Sequence, residues 1–280
     1  MKFATYSDYD PRATSQTLPA FLTVWPGLGN YQDDLVLLGG MVPLYLCRHP
    51  TGERALPRPA TLDVDFGISL GASAGQYGTL ATDLRAQGFR PSAVHPGRFE
   101  REVDGFPVYV DFLVEDGDHT RGTRLVDDVP ASVMPGVVRA LQTARRVAVT
   151  GRDLMGADQH VHARVCEIGP FLALKLRAFL HRQQGKDVSD LLYTLLHYDG
   201  GTEAAIAAFA AEARAANPAM PDARRALETL FADENAPGPV KAAHFVLGPV
   251  RADEASDTRL RRQQISQDMV FAVAALRRAL

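Results

Sequence analysis

Two aspartates at strand spacing are the first residues in this sequence whose types could do chemistry. Asp63 and Asp65 lie in the segment Thr61-Leu62-Asp63-Val64-Asp65-Phe66. Residues two apart in a strand point to the same face, so the two carboxylates would lie side by side while the intervening apolar residues face a core. Such a pair predicts a cation site. Two acids on the solvated face of an amphipathic strand would show the same spacing, and that alternative stays open.

A third carboxylate strengthens the prediction of a metal site. Asp111 interrupts the otherwise apolar run from Pro107 to Val114, where a charge is costly unless it is paired, hydrogen-bonded or metal-bound. Carboxylates from neighbouring strands hold the two divalent ions, about 3.5 to 4 Å apart, of phosphoryl and nucleotidyl transfer. Hard oxygen ligands favour Mg²⁺ or Mn²⁺, which would also bind a substrate's phosphates. We therefore predict that Asp63, Asp65 and Asp111 bind metal.

A glycine pair follows the first apolar strand pattern. Leu35–Leu38 reads as a buried strand, Gly39 and Gly40 as a sharp turn, and the apolar residues up to Cys47 as a helix. Glycines at such a turn let backbone N–H groups approach a phosphate at the positive end of a helix. A tight turn without a ligand is the simpler explanation of two adjacent glycines.

Lysine is rare in this chain, with four among 30 basic residues. Lys175 lies in a helical, apolar segment, where it must reach solvent or have a partner. Arg182 lies on the same predicted helix face, and the two cations would together clamp a triphosphate. Lys186-Asp187-x-x-Asp190 begins the next helix. Asp187 as a helix cap is an equally good explanation of that motif.

Three other patterns do not support a functional prediction. Asp65-Phe66-Gly67 matches the metal-binding tripeptide of kinases, but the other kinase motifs are missing. A zinc site at His160, His162 and Cys166 is a weak prediction, because a single exposed strand would give the same pattern. No P-loop motif occurs.

The elements that must position these residues fall into two parts. We predict a helix over Leu18–Val24, a turn over 71–78, a helix over Thr79–Gln87 and a hairpin about Asp104-Gly105. Arg145–Val149 and His160–Glu167 read as further strands. From Phe171 onward the pattern predicts about five helices. The predicted fold is a mixed α/β domain over residues 1–168, followed by a helical bundle over 169–280.

Composition limits the possible classes of function. The 280 residues are 46% hydrophobic and carry a formal net charge of −3, which predicts a globular chain without a general attraction to nucleic acid. Cys47 and Cys166 lie far apart, and neither a signal peptide nor an 18-residue apolar stretch occurs. We expect a cytoplasmic protein with reduced thiols and no membrane association.

The ordered set of motifs resembles the AbiEii/AbiGii-type toxin nucleotidyltransferases, within the polymerase-β-like minimal nucleotidyltransferase superfamily. The resemblance extends over roughly Leu35 to Leu192 and rests most on Lys175 with Lys186-Asp187-x-x-Asp190. Many superfamily members have Gly-Ser where this chain has Gly39-Gly40. Arg58 lies three residues before Thr61 rather than the usual two.

The resemblance implies a nucleotidyltransferase core with mixed sheet, followed by a helical domain, with the active site in the cleft between them. Asp63 and Asp65 would hold both metals, and Asp111 would complete one site and help to deprotonate the attacking hydroxyl. Gly39, Gly40 and Lys175 would bind the NTP substrate, and Asp187 would position groups nearby. The reaction would move a nucleoside monophosphate to an acceptor hydroxyl of RNA such as tRNA, of a protein or of a small molecule.

The resemblance also implies the toxin half of a toxin–antitoxin pair, with a cognate antitoxin as partner. Two alternatives stay open. One is a non-catalytic module that senses a nucleotide or binds a partner. The other is a small-molecule nucleotidyltransferase of the antibiotic-modifying kind.

Overall fold

The computed structural model describes residues 3–52, 55–72 and 79–280, and these residues form two compact units. The sheet unit comprises residues 10–45 and 61–167, and the helical unit comprises residues 1–9, 46–60 and 168–280. The turn predicted over 71–78 falls mainly on residues 73–78, outside the described part of the chain. The predicted fold class, a mixed α/β sheet with helices following it, is confirmed.

The sheet unit is built on one mixed sheet, to which the described residues contribute nine strands. The strands are β1 Leu35–Leu38, β2 Asp63–Ile68, β3 Arg90–Pro91, β4 Arg98–Val103, β5 Phe106–Val114, β6 Thr123–Val126, β7 Val129–Val133, β8 Arg145–Arg152 and β9 Asp158–Val165. Seven of them lie in the order β3-β4-β5-β2-β1-β9-β8, while β7 pairs with β5, and β6 with β7. β2 and β5 are parallel neighbours near the centre, and β1 lies antiparallel to β2 on its other side.

The hairpin of β4 and β5 forms where the sequence predicts it. Asp104 and Gly105 have φ angles of 51° and 80°, as the two central residues of a type I′ turn require. This two-residue turn fixes the pairing of the strands from Val103↔Phe106 outward to Arg98↔Asp111.

Aromatic side chains form the core beneath the central strands. Phe66 and Phe112 lie at paired positions on β2 and β5, with ring centroids 5.9 Å apart. Trp25, on the helix Thr17–Gly27, stacks on Phe66 at 6.0 Å. Full burial of each such ring contributes about 2 to 3 kcal/mol to folding. Because side chains alternate along a strand, Asp65 and Asp111 must point away from this core.

Five short helices complete the described sheet unit, apart from the last residue of α3, which is grouped with the helical unit. The helix predicted over Leu18–Val24 is confirmed as part of α2, and the one over Thr79–Gln87 as α4. The predicted helix after Gly40 is much shorter than expected: a 3-10 turn at Gly39–Met41 is followed by the single turn α3, which begins at Pro43. The helices are α1 Pro11–Ser15, α2 Thr17–Gly27, α3 Pro43–Leu46, α4 Leu80–Ala86 and α5 Val137–Thr143.

The helical unit contains six helices within residues 168–280, all of which are described. The prediction of about five is one too few, because Gly248-Pro249 ends a helix that the sequence reading continued to the C-terminus. The helices are α6 Ile168–Arg182, α7 Gly185–His197, α8 Thr202–Arg214, α9 Met220–Leu230, α10 Pro237–Leu247 and α11 Ser256–Arg278. In the described parts of the chain, no helix combines the length and the apolar character that a membrane span requires.

Candidate active site

The three predicted metal ligands come together on one face of the sheet. Asp65 and Asp111 are direct register partners on the parallel strands β2 and β5. Asp63 precedes Asp65 by two residues and therefore points to the same face. One ligand atom from each of the three carboxylates lies within 4.8 Å of the others. This geometry allows a single cation to contact all three side chains.

The three carboxylates differ in exposure, and Asp63 is the most buried of them. Asp63 is only 7% exposed, while Asp65 and Asp111 are half-buried. The Thr61 hydroxyl donates a hydrogen bond of 2.5 Å to Oδ1 of Asp63, and the Thr17 hydroxyl donates to the Thr61 carbonyl at 2.7 Å. The alternative that Asp63 and Asp65 decorate a solvated strand face is therefore wrong for Asp63. A buried carboxylate oriented by a second side chain is typical of a metal ligand.

Gly39 lies directly against the Asp65 carboxylate. A Cβ atom at Gly39 would lie 1.7 Å from Oδ2 of Asp65, much closer than atoms can approach. The φ angle of Gly39 is +68°, in the left-handed region that favours glycine. The turn after β1 thus needs glycine at this position both for its backbone and for the space that Asp65 fills. The role of Gly39 and Gly40 in holding a triphosphate stays a prediction.

Arg98 is the member of this cluster that the sequence reading missed. Its Nε and Nη2 atoms donate to the two oxygens of Asp111 at 2.8 and 2.5 Å. Nη2 also lies 3.8 Å from Oδ2 of Asp63. The hydrogen bonds to Asp111 and the charges of Asp111, Asp63 and Asp65 hold the pKa of Arg98 above its ordinary value, and burial acts against them. The four side chains, which are three carboxylates and one guanidinium, have a formal net charge of −2.

The remaining predicted site residues form a second cluster, which lies in the helical unit. Lys175 is 6% exposed, and its Nζ lies 2.6 Å from Oδ2 of Asp190 and 3.6 Å from Oδ1 of Asp187. Arg182 donates from two nitrogens to the two oxygens of Asp187, each at 2.6 Å. Lys186 contacts Asp190 at 2.7 Å.

The contacts in this cluster show whether Lys175 on α6 reaches solvent and whether the Asp187 side chain caps α7. Lys175 does not reach solvent, because buried carboxylates on α7 are its partners. Asp187 is the third residue of α7 and binds Arg182 with both oxygens, so capping is not the role of its side chain. By formal charge, the five side chains carry three positive and two negative groups. The functional roles of Lys175, Arg182 and Asp187 stay predictions.

In the described part of the chain, the other candidate metal ligands do not come together. Among residues 3–52, 55–72 and 79–280, the three aspartates form the only group of acidic, histidine or cysteine side chains with metal-binding geometry. His160 and His162 lie on the exposed side of β9 with rings 5.5 Å apart, and Cys166 is buried.

Comparisons with known proteins add little to these observations. No family model matches the chain, and no curated protein matches it. One solved structure that matches is that of a STING-associated CdnE c-di-GMP synthase from Capnocytophaga granulosa. The likeness covers 97% of this chain and 84% of that chain, with 12% sequence identity and a TM-score of 0.25. At this TM-score it supports no conclusion about activity, and the family resemblance seen in the sequence stays a prediction.

Proposed function

We propose that this protein is a divalent-metal-dependent nucleotidyltransferase that moves a nucleoside monophosphate from an NTP to an acceptor hydroxyl. The observation that carries the proposal is the cluster of Asp63, Asp65 and Asp111. Two carboxylates on one strand and a third at the paired position of a parallel neighbour would supply the oxygen ligands for the divalent ions that catalyse nucleotidyl transfer.

The residues fit Mg²⁺ or Mn²⁺. All three candidate ligands are carboxylate oxygens, which hard divalent ions prefer. The charge of the cluster, Arg98 included, is still negative by two, so a divalent ion would be attracted and not repelled. When bound, the metal supplies polarisation of the phosphates and lowers the pKa of a coordinated hydroxyl. Asp63 and Asp65 would hold both ions, and Asp111 would complete one of the sites.

The side chains of the protein then have distinct tasks in the reaction. The acceptor oxygen forms a bond to the α-phosphorus, and the bond from that phosphorus to the bridging oxygen of the β-phosphate breaks, releasing pyrophosphate. Asp111 would accept the proton of the attacking hydroxyl. Gly39 and Gly40 would hold the triphosphate with backbone N–H groups, while Lys175 and Arg182 would neutralise it. Asp187, which contacts both cations, would orient them.

The finer assignment is the toxin component of a toxin–antitoxin or abortive-infection system. It is supported by the motif Lys175 with Lys186-Asp187-x-x-Asp190 and its resemblance to the AbiEii/AbiGii-type toxins. The acceptor would be tRNA or another RNA, a protein, or a small molecule. Growth arrest on expression, relieved by a neighbouring antitoxin gene, is the expected phenotype.

The test of the enzymatic proposal is transfer of label from α-³²P-NTPs. Each of the four NTPs is incubated with the full chain, Mg²⁺ and RNA, protein or small-molecule acceptors. We expect labelling that EDTA abolishes and that Asp63→Asn reduces at least about 1,000-fold, because the metals supply most of the transition-state stabilisation. Asp158→Asn, which changes an exposed carboxylate on β9, is the matched control and retains full activity.

Two outcomes would contradict the proposal. Labelling that is equal in Asp63→Asn and in the wild type would show that the carboxylate cluster is not the active site. Tight NTP binding without turnover, for every acceptor class, would instead favour the non-catalytic nucleotide-sensing module.

A further inference from the structure

Arg98 binds both carboxylate oxygens of Asp111, the third ligand of the candidate metal site. The guanidinium and the Asp111 carboxylate face each other as cross-strand partners on β4 and β5. Two nitrogens bind the two oxygens at 2.8 and 2.5 Å, which is the bidentate arrangement that makes arginine–carboxylate pairs strong. Both oxygens of Asp111 are therefore engaged by this one side chain.

The guanidinium is also held from two other sides. Its central carbon lies 4.4 Å from the ring centroid of Tyr109, the residue that pairs with Asp63 across β2 and β5. Nη2 lies 2.5 Å from Oδ2 of Asp111 and 3.8 Å from Oδ2 of Asp63. The Arg98 side chain is only 13% exposed. One positively charged group therefore interacts with two of the three carboxylates that would hold a metal ion.

We propose that Arg98 and a divalent cation compete for Asp111, so that Arg98 sets the metal affinity of the site. A guanidinium and a divalent ion on the same carboxylate repel each other strongly at contact distance in a partly buried environment. A metal ion that takes Asp111 as a ligand must therefore displace the bidentate hydrogen bonds of Arg98. This inference rests on the proposed metal site, whichever acceptor the enzyme uses.

The competition has a direct consequence for metal binding in the absence of nucleotide. Removing the guanidinium leaves Asp111 available and raises the negative charge of the four-residue cluster from two to three. Arg98→Met, which keeps much of the aliphatic length, should bind Mn²⁺ with a Kd at least about tenfold lower than the wild type, a change of about 1.4 kcal/mol. The measurement is calorimetric titration of the full chain with Mn²⁺ at neutral pH, without NTP.

A matched control separates this local effect from a general change of charge. Arg101 lies on the same strand, donates to the carbonyl of Gln87 at 2.7 Å, and pairs with Val108, not with an acid. Arg101→Met removes the same charge, and its Kd for Mn²⁺ should stay within about twofold of the wild-type value. Thermal unfolding gives a second readout, since Mn²⁺ should raise the unfolding temperature of Arg98→Met more than that of the wild type.

The outcomes distinguish this inference from the proposed function. A Kd for Arg98→Met equal to or higher than that of the wild type overturns the competition, while loss of Mn²⁺ binding in Asp63→Asn still supports the metal site. Absence of Mn²⁺ binding in every variant and in the wild type overturns both. Should Arg98→Met fail to fold, Arg98→Lys is measured in its place, because a lysine ammonium cannot form the bidentate pair with Asp111. A lower Kd in that variant supports the competition, and an unchanged or higher Kd overturns it.

Discussion

At the scale of single residues, Gly39 shows how closely the candidate site is fitted. Gly39→Ala would place a methyl group against Oδ2 of Asp65 and force alanine into a left-handed backbone. We expect a loss of about 2 to 4 kcal/mol in the free energy of unfolding, from backbone strain plus overpacking. The displaced Asp65 carboxylate should also weaken Mn²⁺ binding. Urea unfolding and calorimetric titration measure the two effects.

The control for that substitution is Gly29→Ala. A Cβ atom at Gly29 would have no neighbour within 4 Å among the described residues, and Gly29 lies outside the left-handed region. Its replacement should therefore change the free energy of unfolding by at most about 0.5 kcal/mol. Equal losses in the two variants would contradict the special role of Gly39.

The residues of the site differ in how readily the sequence reveals them. Asp111 is conspicuous because a charge interrupts an apolar strand, and Asp63 and Asp65 because their spacing matches a strand. Arg98 carries no such local signal, since arginine is common in this chain. It could have been found from the hairpin alone: counting pairs outward from the Asp104-Gly105 turn places Arg98 opposite Asp111.

At the scale of elements, strand alternation explains why the central strands could be predicted. In both β2 and β5 an aspartate is followed by a phenylalanine, so that one face carries the carboxylates while the other contributes Phe66 and Phe112 to the core. The hairpin of β6 and β7 was missed for a physical reason. Its turn uses Asp127 with a φ of 54° in place of glycine, and Pro130 lies within β7, so both usual signals for a hairpin are lacking.

The buried charge cluster of α6 and α7 gives the prediction at this scale. Asp190 accepts from both Lys175 and Lys186 and is itself 1% exposed. Asp190→Asn keeps the shape but removes the negative charge that both buried ammonium groups contact at 2.6 and 2.7 Å, which should lower the free energy of unfolding by about 3 kcal/mol or more. Urea unfolding followed by circular dichroism measures the change.

Glu228→Gln provides the comparison for that variant. Glu228 is an exposed acid on α9, and its neutralisation should cost less than about 0.5 kcal/mol. A loss for Asp190→Asn as small as this would mean that the two lysines exchange partners at no cost, and the cluster would not stabilise the helical unit.

At the scale of the whole molecule, composition and pattern predicted a mixed sheet followed by helices, and that order is what the fold contains. The acceptor, in contrast, could not be predicted from the sequence. Nucleotidyl transfer needs acids and phosphate-binding groups, which leave patterns in the sequence, whereas recognition of an acceptor depends on surface shape that no short motif encodes. The same reasoning applies to the proposed antitoxin, whose binding surface has no sequence signature here.

The predicted ligands of one triphosphate lie in two separate units, and this gives the last prediction. If Gly39 and Gly40 in the sheet unit and Lys175 and Arg182 in the helical unit bind the same NTP, a non-hydrolysable α,β-methylene NTP with Mg²⁺ should slow amide hydrogen exchange in both units. The protected segments should be the turn after β1 and the parts of α6 and α7 around Lys175, Arg182 and Asp187, because bound ligand suppresses local opening. Mg²⁺ alone should protect only β2 and β5, and Asp63→Asn should lose that protection. Nucleotide-dependent protection confined to one unit would contradict a shared triphosphate site and would remove Lys175 and Arg182 from the proposed mechanism.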